Sequence, residues 1–189
     1  IDPEHENIVW ESGRTKENTF VIHKPAEYFK QYFPFYNEVQ KIRQNPDWLN
    51  QVGWLKDSTQ ASMELYNPMV MSKMFMLNDA AIFNPFESDY FAWVDGAITN
   101  TVHEGYFTHD LALNNLEHYI DKFLFVSFPY KDGPEIHGFS RKAMENFCGE
   151  DPQYVCRAGI FGGHKSFIAE ANATYYNILA TSLYSNYMG

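Results

Sequence analysis

Residues 84 to 100 constrain this chain more than any other stretch. Asn84-Pro85 is a turn signal, and it leads into the apolar, aromatic run Tyr90, Phe91, Ala92, Trp93, Val94, which has the length and composition of a buried strand. The run stops at Asp95-Gly96. In open α/β sheets ligands collect beyond the carboxyl ends of strands, so an acid one residue past a buried strand is placed to meet a metal or a sugar hydroxyl. Asp95 is therefore the first candidate for chemistry, set against the plainer reading that Asp95-Gly96 is only a turn.

Composition enters as a filter on function. Apolar residues at 45% and aromatics at 17% of 189 residues exclude a disordered chain and supply a core for one compact domain over 1–189, or for part of a larger one. The 24 acidic against 14 basic side chains, a formal charge of −10, repel a phosphate backbone, so nucleic acid is set aside as a partner. No apolar run reaches the ~20 residues of a membrane span. The amino terminus does not resemble a signal peptide, but the chain starts at Ile1 rather than Met, so the compartment stays open. Cys148 and Cys156 flank a turn-rich loop. They are a disulfide if the compartment is the secretory lumen and buried thiols if it is a bacterial cytoplasm, and their spacing does not make a zinc site.

Along the chain, 19–22 reads as a short buried strand. Residues 28–43 read as a helix with apolar positions three and four apart, which Pro34 must kink or restart. Residues 47–55 are irregular, with Trp48 and Trp54 packed rather than stacked on a ligand. Asn67 and Pro68 open the clearest helix, running to Phe83, with Asn67 as N-cap. Lys73 stands out in it, because a lysine among Met71, Met74, Phe75 and Met76 either snorkels to solvent or meets an anion. Asn100, His103, Glu104 and His109 follow Asp95 at a spacing that matches no standard ligand pattern, so solvated loop residues are the better reading. Asp110 caps a helix that leads into a second buried strand over 124–128, and 140–147 forms a short helix. A strand-like piece from Tyr154 then enters a glycine-rich turn at Gly159, Gly162, Gly163 and His164, before a long helix over 166–187.

Strands alternate with helices, which implies an α/β sheet covered on both faces. Neither a G-x-G-x-x-G loop, a Walker pattern nor a Gly-x-Ser-x-Gly elbow occurs, which removes simple dehydrogenase, P-loop and α/β-hydrolase readings.

Three blocks together, Tyr66-Asn67-Pro68 with Ser72-Lys73, then Asn84-Pro85-Phe86 with Asp89 through Gly96, then Gly159-Ile160-Phe161-Gly162-Gly163, resemble the HtrL/YibB family of predicted glycosyltransferases over roughly residues 19 to 188. The resemblance implies the GT-A fold, a Rossmann-like nucleotide-diphosphosugar sandwich with a mostly parallel central sheet and, usually, a divalent cation, Mn²⁺ or Mg²⁺. In that fold an Asp-x-Asp motif follows a buried strand, and Asp95 occupies its place. Here the run is Asp95-Gly96-Ala97, with one acid instead of two. The fold's first strand has no counterpart before Thr19, and the chain stops at Gly189 where a last ligand is expected. Either this is a fragment or the activity is reduced.

The resemblance thus implies transfer of a glycosyl unit from a nucleotide-diphosphate sugar to a glycan or other hydroxyl acceptor. Asp95, Lys73 and His164 would hold the donor, Asp95 and His164 the metal, and Trp93, Gly96, Phe161, Gly162 and Gly163 would border the sugar and acceptor pocket. No catalytic base is assigned. The rival is a non-catalytic glycan-binding or assembly module that keeps the fold, and a metal-dependent hydrolase built on His103 and His109 ranks below both.

Overall fold

In the computed structural model, which describes residues 1–51, 53–96, 98, 122–130, 145 and 149–188, short helices come first, the strands follow, and a long helix comes last. The described α-helices are α1 (Glu6–Glu11), α2 (Phe29–Tyr32), α3 (Tyr36–Arg43), α4 (Pro46–Leu49), α5 (Thr59–Ser62), α6 (Tyr66–Met71), α7 (Lys73–Phe83) and α8 (Lys165–Tyr184). The strands are β1 (Tyr90–Val94), β2 (Phe123–Pro129) and β3 (Tyr154–His164). By contact the chain divides into two units, Ile1–Ser72 with Ala180–Met188, and Lys73–Leu179. Among the described residues no helix is long and apolar enough to cross a membrane.

The first unit is helical. Pro34 breaks the aromatic helix as its ring requires. Phe33 before it is extended, with φ −79° and ψ 115°, and the helix restarts at Tyr36. Val39 and Ile42 of α3 are buried, as are Phe29, Phe33 and Phe35 ahead of it. Trp48 sits on the one-turn helix α4, which Asn45 caps by accepting from the Asp47 N–H. It is 1% exposed and donates its indole N–H to the Met188 carbonyl at 2.8 Å. The strand expected over 19–22 does not form, and Phe20 and Ile22 are exposed. A β-branched, aromatic run is only a strand when another strand lies beside it.

Asn67 does not cap its helix. Its side chain is buried and donates to the Gln60 carbonyl, and the Ser72 hydroxyl turns back onto the Pro68 carbonyl at 2.6 Å, where the helix expected to run from Pro68 to Phe83 is interrupted.

A polar network joins α3 to the stretch after α5. The Tyr36 hydroxyl donates to Glu64 Oε1, Lys30 Nζ lies 3.4 Å from the same oxygen, and Gln40 and Arg43 donate to the Glu64 and Ala61 carbonyls. The Tyr36 hydroxyl, with help from Lys30, holds the Glu64 carboxyl below its usual range. A carboxyl depressed by folding contributes stability above its unfolded pKa of ~4.3 and loses it as pH falls through the folded value. Glu64→Gln is therefore expected to flatten the fall of melting temperature with acidification below about pH 5. An unchanged acid limb would mean the network is incidental.

The second unit corrects the expected sheet. Its strands run in the order β1-β3-β2, with β3 antiparallel to both neighbours, so the sheet is a three-stranded antiparallel one and not the mostly parallel, Rossmann-like GT-A sandwich. A short apolar run does not reveal which way its neighbour travels, and it was the alternation of strands with helices, together with the resemblance, that implied parallel strands. In β1 exposure alternates instead, with Phe91 and Trp93 turned inward and Tyr90, Ala92 and Val94 outward. One sheet face packs on Met74 and Leu77 of α7 and Ile168 of α8, around the buried ring of Phe161.

The glycine-rich segment is also a strand, not a turn, because β3 continues through Gly162 and Gly163 to His164. Here glycine is a requirement of strand packing. A Cβ on Gly162 would lie 2.1 Å from the Phe91 carbonyl oxygen, and one on Gly163 would lie 1.9 Å from that of Lys122. Cys156 in β3 is a free, exposed thiol. Cys148, the cluster at Asn100, His103, Glu104 and His109, and the helices expected over 110–123 and 140–147 lie outside the described residues, save 122, 123 and 145.

Candidate functional site

The site forms where β1 ends. The Asp95 N–H donates to the Gly159 carbonyl at 2.9 Å, which carries the β1–β3 ladder one residue past Val94, and the Ile98 N–H then closes a turn onto the Asp95 carbonyl. Alternate strand residues share a face, so Asp95 falls on the inward side with Phe91 and Trp93. There it meets Lys73, the first residue of α7. Lys73 Nζ donates to Asp95 Oδ2 at 2.9 Å and lies 2.7 Å from Oδ1, while the Trp93 indole N–H donates to Oδ1 at 2.6 Å. The same ammonium donates to the Ala158 carbonyl at 3.2 Å and stands 5.9 Å above the Trp93 ring. Lys73 is 16% exposed and Asp95 36%, so the acid is the member of the pair a ligand can reach.

A break in the sheet supplies the Ala158 carbonyl. Phe125 of β2 faces Phe161, but its neighbour Val126 faces Arg157, so Ala158, Gly159 and Ile160 have no partner on β2. Bulges of this kind re-aim backbone groups and are common beside functional sites. Gly159 lies in this irregular segment, and a Cβ there would come within 2.8 Å of Ile98 Cδ1 and 3.6 Å of Asp95 Oδ2.

Not every residue singled out in the sequence joins this cluster. Trp93 does, through its indole N–H, and exposed Gly96 follows Asp95 in the turn. Phe161 is in the core, stacked between Trp93 at 6.4 Å and Phe125 at 6.1 Å. The space beside Gly162 and Gly163 is taken by neighbouring backbone rather than left open for a sugar. His164 pairs with Tyr90 at the far end of the ladder, five residues from Gly159 and so roughly 16 Å away along the strand. Its ring lies edge-on to Tyr90, and Nδ1 is 2.7 Å from the Ser166 hydroxyl. Beside it Lys165 pairs with Asp89 and holds that carboxyl below its usual range.

These positions decide how a divalent ion would fit. An ammonium and an indole N–H already occupy the Asp95 oxygens, and His164, the second expected ligand, is a strand's length away. Among the described residues no three or more His, Cys, Asp or Glu side chains gather. The described residues therefore do not fit a metal on Asp95 and His164, and no chemical step is derived through one.

A concavity of about 520 Å³ lies between β2 and α8, away from Asp95, with Phe123, Phe125, Phe167, Ala171, Tyr175 and Ile178 in its lining. Burial pushes the Tyr175 phenol up to about 12, so it stays protonated at neutral pH.

Sequence reasoning missed the Ala158 carbonyl and the Trp93–Asp95 hydrogen bond. The second was accessible, since a strand tryptophan two residues before an acid shares its face. The first depends on a register jump that leaves no local mark. Compared with protein-family models, curated proteins and solved structures, the chain matches none.

Proposed function

We propose that this chain is a glycosyltransferase, moving a sugar from a nucleotide-diphosphate donor to a hydroxyl of a glycan or similar acceptor, with Asp95 as the anchor for sugar or ribose hydroxyls. One observation carries the reading. The three blocks that resemble the HtrL/YibB family each send a group to the same point: Lys73 from the first, Asp95 from the second, and Gly159 with its neighbour Ala158 from the third. Lys73 is 22 residues from Asp95 and 85 from Ala158, so the convergence is not a consequence of local sequence.

The chemistry suits the residue. An ionised carboxylate only accepts hydrogen bonds and has about four lone-pair sites. Lys73 and Trp93 fix its orientation, and its exposed side accepts from a pair of adjacent hydroxyls. In the transfer, the acceptor oxygen bonds to the anomeric carbon as the bond to the diphosphate breaks. The acceptor proton passes to solvent or to an oxygen of the departing diphosphate, and a nucleoside diphosphate leaves. No residue is assigned as the base for that proton, so inverting and retaining chemistry stand level.

The second reading, a glycan-binding module without transfer, is favoured by the same ion pair, since a carboxylate whose oxygens are engaged by an ammonium and an indole N–H can still accept from sugar hydroxyls but is poorly placed to hold a metal-bound diphosphate. Titration calorimetry with UDP, GDP and their glucose conjugates, with and without Mn²⁺, and with free oligosaccharides, separates the two and reads metal dependence directly. Asp95→Asn is expected to weaken nucleotide-sugar binding at least about tenfold, the scale of one charged hydrogen bond, with only a modest drop in melting temperature. Unchanged affinity removes Asp95 from the site. Glycan binding without nucleotide binding selects the second reading.

A further inference from the structure

We infer that Lys73 and Trp93 are positioning residues that set the Asp95 carboxylate, and that the site reads hydroxyls rather than phosphates. The inference rests on the proposed function in taking Asp95 as the ligand-binding group. The sequence suggested the opposite role for Lys73, as the partner of a diphosphate.

The donors of Lys73 are accounted for. An ammonium has three N–H donors, and three acceptor atoms surround this one: both oxygens of Asp95, at 2.7 and 2.9 Å, and the Ala158 carbonyl at 3.2 Å. A phosphate brought to Lys73 would have to displace one of these acceptors and would stand beside a carboxylate of its own sign. The charges of Lys73 and Asp95 cancel, so the pair offers a diphosphate little net attraction.

Trp93 supports the carboxylate from another side. Its indole N–H meets Oδ1 at 2.6 Å, and its ring is stacked on Phe161 with 15° between the planes. The acid is thus gripped by donors from α7 and from β1, while the irregular segment of β3 holds Lys73 in place. Side chains fixed in this way lose little freedom when a ligand arrives, which is how a binding group on a rigid scaffold gains affinity.

The test reads geometry first and ligand second. In the ¹⁵N-labelled chain, the Trp93 indole N–H resonance is identified by its absence from Trp93→Phe. Lys73→Met is expected to move that resonance and to speed its hydrogen exchange by about tenfold, because the freed carboxylate leaves the indole; Lys73→Arg, which still offers donors to Asp95, is expected to restore most of the protection. An indole signal indifferent to Lys73→Met overturns the inference.

The ligand arm compares uridine with UDP. A positioning role predicts that Lys73→Met weakens both by the same factor, whereas a loss for UDP about tenfold greater than for uridine shows Lys73 on the diphosphate and also overturns it. If the unmodified chain binds neither nucleoside nor nucleotide, the proposed function falls, while the indole readout still decides whether Lys73 positions Asp95.

Discussion

Gly163→Ala is expected to yield little folded protein. The added methyl carbon would stand 1.9 Å from the Lys122 carbonyl oxygen, 2.8 Å from its carbon and 3.1 Å from Phe123 Cα. All of these are backbone atoms at the start of a paired strand, so nothing can swing aside, and β3 is held on its other edge by β1. Relief requires parting β2 from β3, at a cost of about 3 kcal/mol or more. Gly162→Ala meets the Phe91 carbonyl at 2.1 Å from the opposite edge and should behave alike. Urea denaturation followed by circular dichroism measures the loss. A Gly163→Ala chain with a normal midpoint and impaired sugar binding would return these glycines to the role the sequence suggested.

Trp48→Ala should be comparably severe in the helical unit. The side chain is 1% exposed and its N–H is committed to the Met188 carbonyl. Truncation removes a large buried ring, at about 3–5 kcal/mol, and leaves a buried carbonyl without its donor, at about 1–3 kcal/mol more. Trp48→Phe separates the two contributions by keeping a ring and deleting the N–H, and should cost the smaller amount. If both variants melt within a degree or two of the parent, Trp48 is not the keystone of that core.

How much of this was legible in the sequence depends on the range of the interaction concerned. Pro34 interrupts its helix through its own ring and the residue before it, so the break could be read locally. The strand at Tyr90–Val94, with Asp95 just past its end, could be read from composition and a turn signal. The direction of the sheet could not, because antiparallel pairing with β3 is decided some 70 residues downstream. The glycines misled for a physical reason: the same missing side chain permits a turn, a ligand or a close strand, and only the Phe91 and Lys122 backbones show which. His164 was grouped with Asp95 through the resemblance and its place at the start of the last helix; the antiparallel register carries it to the opposite end of the ladder.

The register jump in β3 divides the sheet along a seam. From Ile160 to His164 the strand has β1 beside it, with β2 on the other side from Phe161 to Gly163, whereas from Tyr154 to Arg157 it has β2 alone. Three strands protect one half and two the other, so the Tyr154 end can fray without disturbing the core around Phe161. Lys73 is bonded across that seam, to Asp95 on the firm side and to Ala158 at the margin of the loose one. Opening of the two-stranded end therefore releases one of the acceptors that hold the ammonium and leaves the other two, which makes the grip on Asp95 adjustable by an event far smaller than unfolding.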